Sequence, residues 1–205
     1  LVAIVAFALM LSPALMPQRV ILAILMLGAA LTISVPWMIR NMYVIGAPVL
    51  NTNGGFNLYL GNNPAATGMF VSISDTPRGS TWEDLRKKGE FQASETLKRE
   101  AIFWAKNHPV EFVVLALKKV VYFWMPPLHE GRGEQSSVEK LVRVLWAIQF
   151  IVLATLAIGT LLIPILRNRR LVILWLAIAF YTAVHMLFYV IFRYREPIMP
   201  IVGVL

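Results

Sequence analysis

Residues 20–39, VILAILMLGAALTISVPWMI, run for 20 positions without a charged side chain. At about 1.5 Å of rise per residue, a helix of that length covers the roughly 30 Å hydrocarbon core of a bilayer. Pro36 and Trp37 stand near its end, where aromatic rings favour the membrane interface. This one run constrains the chain more than any other feature, and it is repeated. Residues 141–166 and 171–192 are also long and apolar, residues 1–16 read as a shorter span, and residues 197–205 read as the first turns of another. Over the 205 residues, 58% are hydrophobic and 15% charged, where soluble domains carry about a quarter charged. The expected fold class is an all-α polytopic membrane protein. It divides into transmembrane helices over residues 1–39, an extracytoplasmic segment over 40–140, and further transmembrane helices over 141–205. The chain opens and closes inside apolar runs and is expected to be a fragment of a longer protein.

The net charge of +8 raises the possibility of a nucleic-acid partner, but its distribution points elsewhere. Residues 40–140 hold 12 Lys/Arg and 10 Asp/Glu, a net of +2. The other +6 flanks the apolar runs, as membrane orientation signals do. Arg19 lies in one short connection, and Arg167, Arg169 and Arg170 lie in another. Basic residues in short loops mark the cytoplasmic side. Residues 40–140 and the turn at 192–196 are therefore expected outside the cytoplasm. Membrane lipids are expected partners and nucleic acid is not. With no cysteine, disulfides and thiolate metal sites are excluded.

Within 40–140 the first half is punctuated by Gly, Asn, Pro and Ser and reads as loops. Ser80-Thr81-Trp82-Glu83 has the form of a capping box opening a helical stretch that Asn107-His108-Pro109 stops. Ser136 and Glu139 form a second such signal before residue 141. Residues 109–125, PVEFVVLALKKVVYFWM, are apolar except for Glu111 and the adjacent Lys118 and Lys119. Two lysines at a bilayer centre would cost several kcal/mol. A helix lying in the interface avoids that cost, and a spanning helix here would put the arginine-rich connection outside. An interfacial helix is expected.

Walker, Gly-x-Gly-x-x-Gly, His-Glu-x-x-His and Gly-x-Ser-x-Gly motifs are missing, and His108, His129 and His185 lack metal-ligand spacing, so no metal set is expected. Two stretches could carry chemistry. NTNGGFNLYLGNNP, residues 51–64, holds five asparagines and three glycines. Its glycines can serve simple turns, and its asparagines can bond their own backbone. Yet carboxamides also suit sugar hydroxyls, and glycines let backbone N–H groups approach a ligand. Phe192-Arg193-Tyr194-Arg195-Glu196-Pro197 places two arginines in a short outward turn. They suit either interfacial anchors or forks for phosphate. His185, inside an apolar run, reads as a neutral histidine bonded to a neighbouring helix.

The order Pro36-Trp37…Arg40-Asn41, Asn53-Gly54-Gly55-Phe56-Asn57-Leu58-Tyr59, Gly61-Asn62-Asn63-Pro64 and Gly68 continues with Ala101…Trp104-Ala105-x-x-His108-Pro109. Lys118-Lys119…Phe123-Trp124 and Arg193-Tyr194-Arg195-x-Pro197-x-x-Pro200 complete it. From Pro36 onward the chain resembles the later half of bacterial GT-C glycosyltransferases of the protein-mannosyltransferase-like and aminoarabinose-transferase-like kind. The resemblance implies inverting transfer of a sugar from a polyprenyl-phosphate donor to a lipid, glycan or protein on the outer face of the membrane. It implies donor contacts from Arg193, Tyr194 and Arg195, and sugar or acceptor contacts from Asn57, Asn62 and Asn63. The family's catalytic carboxylate lies in an earlier outward loop that no position here matches, so the catalytic residue is unassigned. The resemblance implies no resident cofactor beyond the lipid-linked donor, and the divalent metal requirement stays open. An oligosaccharide ligase or polymerase, or a secondary transporter, remain the alternatives.

Overall fold

The computed structural model describes residues 16–126, 136–162 and 169–205. The short span expected at 1–16 and the connection at 167–170 therefore lie almost wholly outside the described residues. All the regular structure described is helical, and a single isolated parallel bridge, Met69 to Val190, is the sole extended pairing among these residues.

Helix α1, Met16–Ile45, contains the 20-residue apolar run and overruns it by a turn or more at its C-terminal end, with Pro36 inside it. Gly46, at φ +80°, then reverses the chain. Asn41 donates to Val49 O at 2.6 Å and Trp37 Nε1 to Leu50 O at 3.0 Å, closing that reversal onto the helix. Helix α2, Gly54–Gly61, falls within the stretch read from composition as loop. Helices α3, Trp82–Lys87, and α4, Glu90–Asn107, replace the single stretch expected after Ser80. They are separated at Gly89, whose φ of +107° no L side chain adopts easily. The capping box at Ser80 does not form. A 3₁₀ turn, Gly79–Thr81, occupies its place, and Thr81 at the N-cap makes no side-chain capping bond.

Pro109 opens α5, Pro109–Trp124, where its missing N–H costs nothing. Helix α6, Ser137–Leu162, begins with the reciprocal box expected at Ser136: Ser136 N donates to Glu139 Oε2 at 3.0 Å, and Glu139 N to Ser136 Oγ at 3.2 Å. Helix α7, Arg169–His185, stops seven residues before the apolar run does. A 3₁₀ segment, Phe192–Ile198, and helix α8, Met199–Val204, follow.

Two helices, α1 and α6, are long and apolar enough to cross a membrane, and α7 is a shorter apolar helix. The side chains of α1 and α6 are largely exposed: Leu25, Ile33, Leu145 and Leu156 all face outward. The buried residues form two clusters instead. One joins Tyr59 and Leu60 of α2 to Leu85, Ala93, Leu97 and Ala101 of α3 and α4. The other joins Phe123 of α5 to Ala157, Ile178, Ile198 and Val202. Tyr189 belongs to the first and its neighbour Val190 to the second, because consecutive side chains of extended backbone point to opposite sides. Residues 186–190 thus sew the polar segment to the apolar helices.

Candidate functional site

The junction is built around two buried cations. Lys119 is 0% exposed. Its ammonium donates to Asn62 Oδ1 at 3.0 Å and to Met186 O at 3.1 Å. Asn62 in turn donates from Nδ2 to Leu58 O at 2.8 Å and to Leu187 O at 2.6 Å. These bonds explain the early end of α7. The carbonyls of residues 186 and 187 are taken by side chains from α5 and α2, so the chain leaves the helix although its composition stays apolar. Met186 O lies just past the C-terminus of α7, where orphan carbonyls concentrate negative charge and attract a cation. Among the described residues Lys119 has no carboxylate partner, and burial pulls its pKa down to about 8.

Glycine makes this approach possible. A Cβ on Gly61 would lie 2.5 Å from the backbone carbon of Phe188, and one on Gly55 would lie 1.9 Å from Ser94 O. Gly55 and Gly61 are therefore close-approach positions inside a helix, not turn residues.

Arg195 is the second buried cation, 4% exposed. Its Nη1 donates to Phe123 O at 3.0 Å and Met125 O at 2.6 Å, the carbonyls that end α5. Its guanidinium carbon lies 4.0 Å from the ring centroid of Phe150 and 5.1 Å from that of Phe192. Burial draws its pKa down to about 10, so it stays charged at neutral pH. Arg195 also borders a cavity of about 370 Å³ between α6 and the 3₁₀ segment. The other walls are mostly apolar, with Trp146, Phe150, Leu153 and Met199 among them, and Glu196 adds a carboxylate at the rim.

The residues expected from sequence to bind substrate divide sharply. Arg193 is exposed and makes no hydrogen bond or ion pair among the described residues, while Arg195 points inward. Three residues per 3₁₀ turn put neighbouring odd positions on different sides, so the two arginines do not form one fork. Tyr194 is half-buried in an aromatic group with Tyr189 and His185, and its carbonyl accepts Tyr181 Oη at 2.7 Å. Asn57 is half-buried on α2 and is not among the hydrogen-bond partners of either cation. Asn62 and Asn63 are each 1% exposed. Asn62 is consumed by the Lys119 network. Asn63 donates to Tyr59 O at 2.8 Å and accepts from Ala65 N at 2.8 Å, closing the end of α2. Both carboxamides are engaged within the chain, Asn62 with Lys119 and two backbone carbonyls and Asn63 with backbone alone. His185 bonds Tyr181 O of its own helix at 2.8 Å, not a neighbouring helix.

Sequence reasoning treated Lys119 as a cost to be avoided and so missed its place at the junction. A signal was available, since the spacing Leu115, Lys119, Phe123 puts that lysine on the same face as two buried apolar residues. No family model, curated protein or solved structure matches the chain.

Proposed function

We propose that the chain is the later part of a membrane glycosyltransferase that takes its sugar from a polyprenyl-phosphate donor at the outer face of the bilayer. The observation that carries this reading is the cavity at Arg195. A charged guanidinium lines a mostly apolar slot beside α6, a helix able to cross the membrane, with Gln149 and Glu196 its other polar side chains. That pairing suits an amphiphile with an anionic head and a hydrocarbon tail. Arg193, exposed two residues earlier and outside the slot's lining, adds positive charge to the same segment. Nη1 is occupied by carbonyls, which leaves the remaining guanidinium donors for a phosphate oxygen and holds the group in place before the ligand arrives. A departing lipid phosphate gains charge, and fixed donors there stabilise it.

In this reading α1, α6 and α7 lie across the membrane. Helix α5 lies along its surface, with Val110, Val113, Val114, Leu117 and Val121 on its exposed face and Lys119 turned inward. The test uses decaprenyl phosphate with the detergent-solubilised full-length protein. It should bind far better than decaprenol, and Arg195→Lys should weaken binding roughly 30-fold, as loss of one charge-assisted contact worth about 2 kcal/mol does. Arg193→Ala should weaken it less, with thermal stability unchanged. Equal binding of decaprenol, or wild-type affinity in both variants, would overturn the assignment.

A further inference from the structure

A second opening lies away from the cations, over the contact between α2 and the α3–α4 pair. It encloses about 450 Å³ and is lined chiefly by Thr52, Asn53, Phe56, Trp82, Arg86 and Glu90. Phe56 and Trp82 form an aromatic pair, with centroids 5.2 Å apart and rings tilted by 46°. Both are half-buried, so each keeps part of its ring accessible.

We infer that this groove binds a neutral saccharide. The aromatic pair supplies the first requirement. A ring face carries negative charge density, and the weakly positive C–H face of a pyranose rests on it with its apolar area removed from water. The polar rim supplies the second. The Arg86 side chain is exposed and makes no hydrogen bond or ion pair among the described residues, although Glu90 lines the same groove. Asn53 is exposed, with its carboxamide uncommitted among the described residues. Glu90 accepts a hydrogen bond from Thr52, which fixes one wall and leaves the carboxylate further acceptor capacity. Donors and acceptors of both signs around an aromatic floor match a polyhydroxyl ligand. One cation and one anion nearly cancel, so the groove has no net field to collect a free phosphate, unlike the slot at Arg195.

The floor is also held rigidly. Gly55 lies so close to α4 that no Cβ fits, and its N–H donates to Ser94 Oγ at 3.1 Å directly beneath the groove. A preformed site of this size falls within the range used for small ligands. The inference stands on the groove alone and needs no glycosyl transfer. If transfer also occurs, the groove is where an acceptor glycan would rest.

The test measures binding of three neutral probes, a mannose, a cellulose and an N-acetylglucosamine trisaccharide, by saturation-transfer NMR on the solubilised protein. At least one should bind, and Trp82→Ala should weaken it about tenfold while Trp82→Phe keeps most of the affinity. Arg86→Ala removes an exposed side chain with no described partner, so it should leave folding intact and weaken binding several-fold. Decaprenyl phosphate binding should be unchanged in Arg86→Ala, which separates this groove from the Arg195 slot. Binding of none of the three probes, equal binding by wild type and Arg86→Ala, or displacement of the saccharide by inorganic phosphate would each overturn the inference.

Discussion

At the scale of single residues, the chain solves one problem twice. Among the described residues Lys119 and Arg195 are both buried without a carboxylate partner, and both end on carbonyls at helix C-termini. Carbonyl partners satisfy an ammonium's directional needs but offset its lost hydration only in part. For Lys119 this gives a testable pH dependence. Its folded pKa, about 8, lies below the unfolded value of 10.5, so between these values the unfolded chain binds the proton and the folded chain does not. Stability carries the full burial cost below pH 8 and rises as pH climbs from about 8 towards 10.5. Tyr59 and Tyr189 are both pushed upward by burial and act in the opposite sense above about pH 10, so the clean window is pH 8–10. In that window the melting temperature of wild type relative to Lys119→Met should increase with pH. At pH 7 the variant should be about 1–3 kcal/mol less stable, because Asn62 Oδ1 and Met186 O lose their donor. A flat difference across the window would mean that Lys119 is hydrated. Arg195 was legible in the sequence as a cation of interest, but its inward direction was not, since it depends on Phe123 and Met125, some 70 positions away.

At the scale of elements, what was legible is what is local. The box of Ser136 and Glu139 needs only four consecutive residues, and it formed as read. The box at Ser80 had the same pattern and failed, because Gly79 packs against Ser74 and the chain enters α3 through a 3₁₀ turn. Helix α2 was hidden for a related reason. Eight residues with three glycines make a poor helix in isolation, so packing, not propensity, holds it. Composition reports glycine's freedom to turn and is silent on its other use, the absence of a side chain where backbones meet. The two uses separate in one experiment. Gly54 has nothing nearer than Asn51 Oδ1 at 3.8 Å, so Gly54→Ala should be neutral or slightly stabilising. Gly61→Ala drives a methyl into the backbone of residues 188 and 189 and should cost about 1–3 kcal/mol or more, read by thermal unfolding. Equal stability of the two variants would show that α2 is not seated against residues 186–190.

At the scale of the whole molecule, if α1 and α6 cross a membrane, the adjacent lysines bear on how many crossings the chain makes. The sequence argument was that neither could sit at the bilayer centre, so α5 should lie in the interface. The structure separates them: Lys119 is inside and Lys118 is exposed beside the valine-rich face of α5. Burial of Lys119 removes one of the two charges from the original objection to a spanning α5, while Lys118, exposed near the middle of that helix, keeps the other. What else remains is length and parity. Sixteen residues rise about 24 Å, short of a roughly 30 Å core. If α5 lies in the interface, α6 is the sole crossing between residues 88 and 168, and these positions face opposite sides. If α5 spans, two crossings return residue 168 to the side of residue 88. Lys88 is exposed at the end of α3, so Lys88→Cys should tolerate the change. In intact cells this cysteine should react with an impermeant thiol reagent, whereas Asn168→Cys, outside the described residues, should react only after permeabilisation. The chain has no native cysteine to confuse the readout. Labelling of both from outside would make α5 a span, reverse α6 and α7, and put the arginine-rich connection at 167–170 on the outer face against the positive-inside rule. Labelling of residue 168 alone would invert the whole molecule and carry the Arg195 slot and the Trp82 groove to the cytoplasmic side, where an outward-presented lipid-linked sugar could reach neither.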